Sequence, residues 1–223
     1  LLFVIVCGSG FALKSESVKI DSLKKELRNA PNDSLRANLI FETINSLSHF
    51  ALDAMNRGQF AEAYEAYRTI LENLEDQENQ RLFKSFGESS EFYRVFWEIL
   101  TNNTFNYGIL MHVTGNRDDA MAYYRKANSF ARQRFDTLNQ AYTEANIAFL
   151  FLREPELDSA QLYMDRVFKM PLSNQRYYFY LFYIGGDVRL KTGQFELARE
   201  LFLKGMDNTL KYNITPEIGL AIN

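Results

Sequence analysis

Four segments of this chain align with one another without gaps, and their recurrence constrains the fold more than any single motif does. They begin at Gly58, Gly115, Pro155 and Gly193. Five residues on, each has an alanine: Ala63, Ala120, Ala160 and Ala198. Four further on stands a large residue, Tyr67, Tyr124, Met164 or Phe202, and three beyond that a small or branched one, Ile70, Ala127, Val167 or Gly205. Steps of four and three place these side chains along one stripe of an α-helix. The shared alanine marks the closest approach of two helices, and the Gly or Pro before it ends the preceding helix. Phe60, Tyr67, Tyr124, Phe195 and Phe202 are expected to fill recurrent helix-packing sites.

Seven residues ahead of each turn stand Ala51, Gly108, Ala148 and Gly186, small enough to admit a neighbouring helix. A helix carrying this small residue (helix A), a turn, and a helix carrying the alanine stripe (helix B) together resemble the tetratricopeptide repeat. The resemblance implies an all-α, right-handed α-solenoid of helix-turn-helix units. The family's unit is about 34 residues long; the alanines here lie 57, 40 and 38 residues apart, which calls for longer helices and an extra helical stretch between the first two units. The units span about 44–79, 101–137, 141–170 and 179–212, within one domain over 15–223.

A short helix is predicted over 18–29, stopped by Pro31. Asn32-Asp33-Ser34 can cap a long helix to Arg57, and helix B of the first unit is expected from Phe60 to about residue 79. Ser89 or Ser90, after Gly87, can cap a long helix to about Val113. No stretch alternates with period two as a strand does. Pro216 stands at the first turn of a further helix, so Ile218, Leu220 and Ile222 are expected to begin a fifth repeat that the chain truncates.

Composition narrows the function classes. Lys and Arg number 25 against 28 Asp and Glu, without the basic excess of a nucleic-acid binder. Two His and one Cys leave little for a zinc site, and no GxGxxG, GxxxxGK[ST] or GxSxG is present. His49 and His112 read as packed or surface residues, and pairs such as Asp118-Asp119 and Glu75-Asp76 as solvated helix faces. The expectation is a non-enzyme without cofactor or metal.

Residues 1–12 are apolar and small, and charge begins at Lys14. A bilayer span needs about 20 apolar residues. The run over 1–14 reads as a secretory signal with Gly10-Phe11-Ala12 as a cleavage site; a buried strand or an anchor remnant are the other readings. Cys7-Gly8-Ser9 admits a lipoprotein reading, against which Val6 stands where a small residue is wanted. Membrane association is expected only through an anchor or this lipid.

After that run come Ile20-Asp-Ser-Leu-Lys-Lys-Glu-Leu27 and Pro31-Asn-Asp-Ser-Leu-Arg36, then the long repeats. This order resembles the exported N-terminal sensor region of Gram-negative bacterial tetratricopeptide-containing histidine kinases and transcriptional regulators. It implies a periplasmic interaction or sensor domain, anchored in the inner membrane if a transmembrane segment follows. The alternative is a free-standing exported or lipid-anchored scaffold.

In the family, helix A elements line a concave groove that holds a protein or peptide segment. The matching positions here are Phe105, Asn106, Ile109, Tyr142, Asn146, Phe149, Tyr180, Tyr183 and Asp187. Tyrosine offers an apolar body with a polar tip, and an asparagine amide can pair with a peptide group. Asn106 and Asn146 resemble an asparagine ladder interrupted by His49 and Ile184; the other reading is that both bond local backbone. Ser48 and Leu52 replace the Lys and Asn of the clamp that grips chaperone C-terminal carboxylates, so that partner is not expected.

Overall fold

Left-handed glycines end the first helix of three repeats. Gly58, Gly115 and Gly193 have φ of +74°, +85° and +74°, the conformation that a Cβ disfavours. In each case the next amide reaches back five residues to close the helix: Gln59 to the Ala54 carbonyl, Asn116 to Met111 and Gln194 to Arg189, all at 2.8 Å. The computed structural model describes residues 22–23, 25–27, 29–152, 156–172 and 178–213. The run over 1–14 with Cys7, the turn residue Pro155 and the expected helix from Pro216 lie outside them.

Every regular element among the described residues is a helix. The long ones are α1 (Asp33–Asn56), α2 (Phe60–Glu75), α3 (Gln77–Ser85), α4 (Glu91–Val113), α5 (Arg117–Gln133), α6 (Thr137–Leu150), α7 (Leu157–Val167), α8 (Tyr178–Lys191) and α9 (Phe195–Lys211). Residues 22–23 and 25–27, inside the short helix predicted over 18–29, are helical too. Helices A and B of the four units are α1/α2, α4/α5, α6/α7 and α8/α9. Two predicted caps are in place. Asn32 accepts from the Leu35 amide at 2.9 Å and starts α1. Ser90 accepts from the Tyr93 amide at 3.1 Å and starts α4.

The first helix B is shorter than expected. It ends at Glu75, not near 79, because Asp76 is extended and its carboxylate accepts from the Asn79 amide at 3.0 Å, starting α3. This cap changes the helix phase and turns Leu82 and Phe83 inward. The extra helical stretch between the first two units is thus α3.

The chain forms two compact units divided between Leu110 and Met111, in the last turn of α4. In the N-terminal unit α3 is held by an aromatic stack. Phe83 lies between Phe41 of α1 (4.7 Å between centroids) and Phe96 of α4 (4.6 Å). Ser48 of α1 donates to Asn103 of α4 at 2.7 Å. In the C-terminal unit each following helix A packs on the helix B before it, α6 on α5 and α8 on α7, and α8 also packs on α6.

The repeat stripe is the core. Ala63, Ala120, Ala160 and Ala198 are buried, as are Tyr67, Tyr124 and Met164. Gly186 of α8 lies under the Phe202 ring so closely that a Cβ there would stand 2.5 Å from ring carbon. Phe60 and Phe195 depart from expectation and are exposed. Each is the first residue of its helix, and a helical side chain leans toward the N-terminal end, here beyond the covering neighbour.

Candidate functional site

A buried polar cluster in the C-terminal unit is built on α6. Asp136 caps this helix by accepting from the Asn139 amide at 3.0 Å. Between α5, α7 and α8 the helix is covered on almost every side, so Ala141 through Ala148 are all buried. Its polar side chains must therefore find partners inside. Thr143 donates to the Asn139 carbonyl at 2.8 Å. Asn146 donates to the Tyr142 carbonyl at 2.9 Å and accepts from the Tyr180 hydroxyl of α8 at 2.8 Å. The Tyr124 hydroxyl of α5 also reaches the Asn146 oxygen, at 3.5 Å, and lies 3.4 Å from His112 Nδ1. Burial pushes the pKa of Tyr180 and Tyr124 up; for Tyr180 the bond to Asn146 partly opposes this. Both hydroxyls stay protonated and serve as fixed donors.

Two residues before Asn146 on α6, Glu144 is 1% exposed. Its carboxylate accepts from Arg132 of α5 at 2.8 Å and from Arg166 of α7 at 3.1 Å. The Arg166 guanidinium also lies over the Tyr163 ring, 4.2 Å from its centroid. Three helices from two repeats are thereby tied to one buried charge. Motif reasoning passed over this cluster. Its trace in the sequence is that Glu144 is the single charged residue of α6.

The nine predicted groove positions separate by burial. Phe105 and Ile109 in the N-terminal unit, and Tyr142, Asn146 and Tyr180 in the C-terminal unit, are buried. Of the two readings of Asn146, its bond to the Tyr142 carbonyl matches the local one. Asn106, Phe149, Tyr183 and Asp187 are half-buried. Burial pushes the pKa of the Tyr67 hydroxyl up. The Tyr183 ring lies tilted against Phe202, 6.2 Å between centroids. Burial pushes the Asp187 carboxyl above its ordinary range, with Lys191 opposing. His49 is exposed, and the His112 ring packs on Phe149 at 5.4 Å. No group of three or more His, Cys, Asp or Glu converges as metal ligands would among the described residues.

Two solved structures share this arrangement of helix pairs. BtubC (BKLC) from P. vanneervenii aligns with a TM-score of 0.50 at 15% identity, over 91% of each chain. A variant of the kinesin light chain candidate with nearly identical TPR-like repeats, from Podosopora anserina, aligns with a TM-score of 0.51 at 12% identity, over 91% of this chain and 97% of that one. The fold is of the tetratricopeptide-repeat type. It is an all-α solenoid of helix-turn-helix units. No protein-family model matches the chain, and no curated protein matches it. In tetratricopeptide terms, α1, α4, α6 and α8 are the helix A elements, and Asn106, Phe149, Tyr183 and Asp187 are their half-buried polar and aromatic positions.

Proposed function

We propose that this tetratricopeptide-type domain is a non-catalytic interaction module that holds a protein or peptide segment against its helix A faces. The observation that carries this reading is the pairing of a repeat fold with partly open helix A positions in both units: Asn106 in the first, and Phe149, Tyr183 and Asp187 in the second. Amide, aromatic and carboxylate groups on a rigid helical frame suit an extended backbone carrying occasional apolar and basic side chains. The order of an apolar start, the Asp-Ser-Leu segments and the repeats supports an exported domain serving as the periplasmic sensor part of a membrane-spanning regulator. Among the described residues no helix is long and apolar enough to cross a membrane. A free-standing exported or lipid-anchored scaffold is the alternative.

The test is site-specific photo-cross-linking in cells. A photoreactive residue at Asn106, Phe149, Tyr183 or Asp187 is expected to capture one discrete partner, and the same residue at the exposed Glu62 or Asp158 is not. Equal capture at all six positions, or none, overturns the reading. A reporter that is active only after export, fused behind residue 213, tests localisation; an inactive fusion would sink the periplasmic assignment.

A further inference from the structure

The position that follows the small residue of helix A is apolar in three of the units, where it carries Leu52, Ile109 and Phe149. In the remaining unit it is Asp187 of α8. The repeat register thus puts a carboxylate where the other units place an apolar side chain, and Asp187 is half-buried there. Taking a carboxylate out of water costs free energy unless a cation or hydrogen-bond donors replace the solvent.

Among the described residues, the other carboxylates that are buried or half-buried all have such replacements. Asp53 pairs with Arg57 at 2.9 Å, Glu144 with Arg132 and Arg166, Glu156 with Arg117 and Asp165 with Arg189, while Asp136 caps α6. Asp187 has no ion pair or hydrogen bond among the described residues. Lys191, one turn further along α8, is exposed and attracts it only from beyond ion-pair distance. Burial outweighs that attraction, so the carboxyl stays above its ordinary range and its desolvation is not offset within the fold.

The neighbouring side chain suits a cation too. Tyr183 stands one turn before Asp187 on α8, and residues four apart on a helix are neighbours. Its ring is half-buried and held against Phe202 of α9. A Lys or Arg side chain has an apolar stem that packs along an aromatic ring and a charged head that pairs with a carboxylate. Tyr183 and Asp187 offer the two in that order. An acidic or purely apolar side chain in the same place would leave the carboxylate desolvated and unpaired. The free domain carries the cost of this charge, and a bound cation removes it.

We infer that Asp187 is the recognition point for a Lys or Arg side chain of the bound segment, whose stem lies along Tyr183. This rests on the interaction reading above and adds the charge that the segment must present. The test offers the full chain to immobilised mixtures of short peptides, randomised except for a central residue fixed as Lys, Arg, Met or Glu. The Lys and Arg mixtures are expected to capture about ten-fold more protein than the Met or Glu mixtures. Asp187→Asn, which keeps the side-chain size and removes the unpaired charge, should abolish that preference and leave capture by the Met mixture unchanged. Asp187→Lys should move the preference to the Glu mixture. Capture without a preference for Lys or Arg, or a preference that survives Asp187→Asn, overturns the inference and leaves the interaction reading standing. No capture by any mixture overturns both.

Discussion

Arg166 of α7 donates through Nε to the buried carboxylate of Glu144 on α6, and Arg132 of α5 donates to the other carboxylate oxygen. Both arginines are largely exposed and Glu144 is not. Their removal therefore leaves the carboxylate with only the Asn128 amide, at 3.5 Å. The double variant Arg132→Ala/Arg166→Ala is expected to lose about 3–5 kcal/mol, more than the two single changes summed. Adding Glu144→Gln should recover part of the loss. Urea denaturation of the parent and the four variants measures this.

Asn146 fixes α8 to α6 through the Tyr180 hydroxyl. Asn146→Ala leaves that hydroxyl buried without its acceptor, at a cost of about 1–3 kcal/mol. Tyr180→Phe in the same background should recover part of that cost, because the Tyr180 hydroxyl is then no longer stranded. A double-mutant cycle on the unfolding free energy shows whether the coupling exists.

Gly186 has no room for a side chain. Gly186→Ala drives a Cβ into the Phe202 ring and is expected to destabilise by about 1–3 kcal/mol. Phe202→Leu should relieve the clash in the double variant, giving a smaller loss than Gly186→Ala alone in thermal unfolding.

Phe135 stands at a left-handed φ of 56° and is 89% exposed, a conformation held by glycine at Gly58, Gly87, Gly115 and Gly193 and by asparagine at Asn213. It gains almost no burial to offset the backbone cost. Phe135→Gly is expected to stabilise the fold by about 1 kcal/mol, read from the denaturation midpoint.

Asp187 binds its proton more tightly when folded, because burial disfavours the charged form. Its cost to stability is absent below the ordinary carboxylate pKa and grows as pH rises through the raised value. Asp187→Asn should therefore be more stable than the parent near neutral pH, with the difference vanishing in acid. Stability measured from pH 3 to 8 decides this; a constant difference would rule the titration out.

The repeat was legible because it is local. The stripe from Ala120 through Tyr124 to Ala127 lies on one helix, and the glycine turns and the caps at Asn32 and Ser90 act within five residues of themselves. Sequence therefore determined the helix pairs, their order and the buried alanines. The break at Asp76 was harder to see, because a cap in mid-pattern competes with continued helix and the outcome depends on Phe83 finding Phe41 and Phe96. What a helix A side chain faces was decided only by tertiary structure. Asn146 and Asn106 occupy the same repeat position, yet Asn146 is enclosed by Tyr142 and Tyr180 while Asn106 stays half-exposed. Glu144 is an unremarkable acid in sequence and becomes a three-helix tie once α5 and α7 carry Arg132 and Arg166 to it. Periodicity reports which face of a helix is apolar; whether a polar group on that helix is solvated or enclosed depends on neighbours 12 to 34 residues away, brought together by packing.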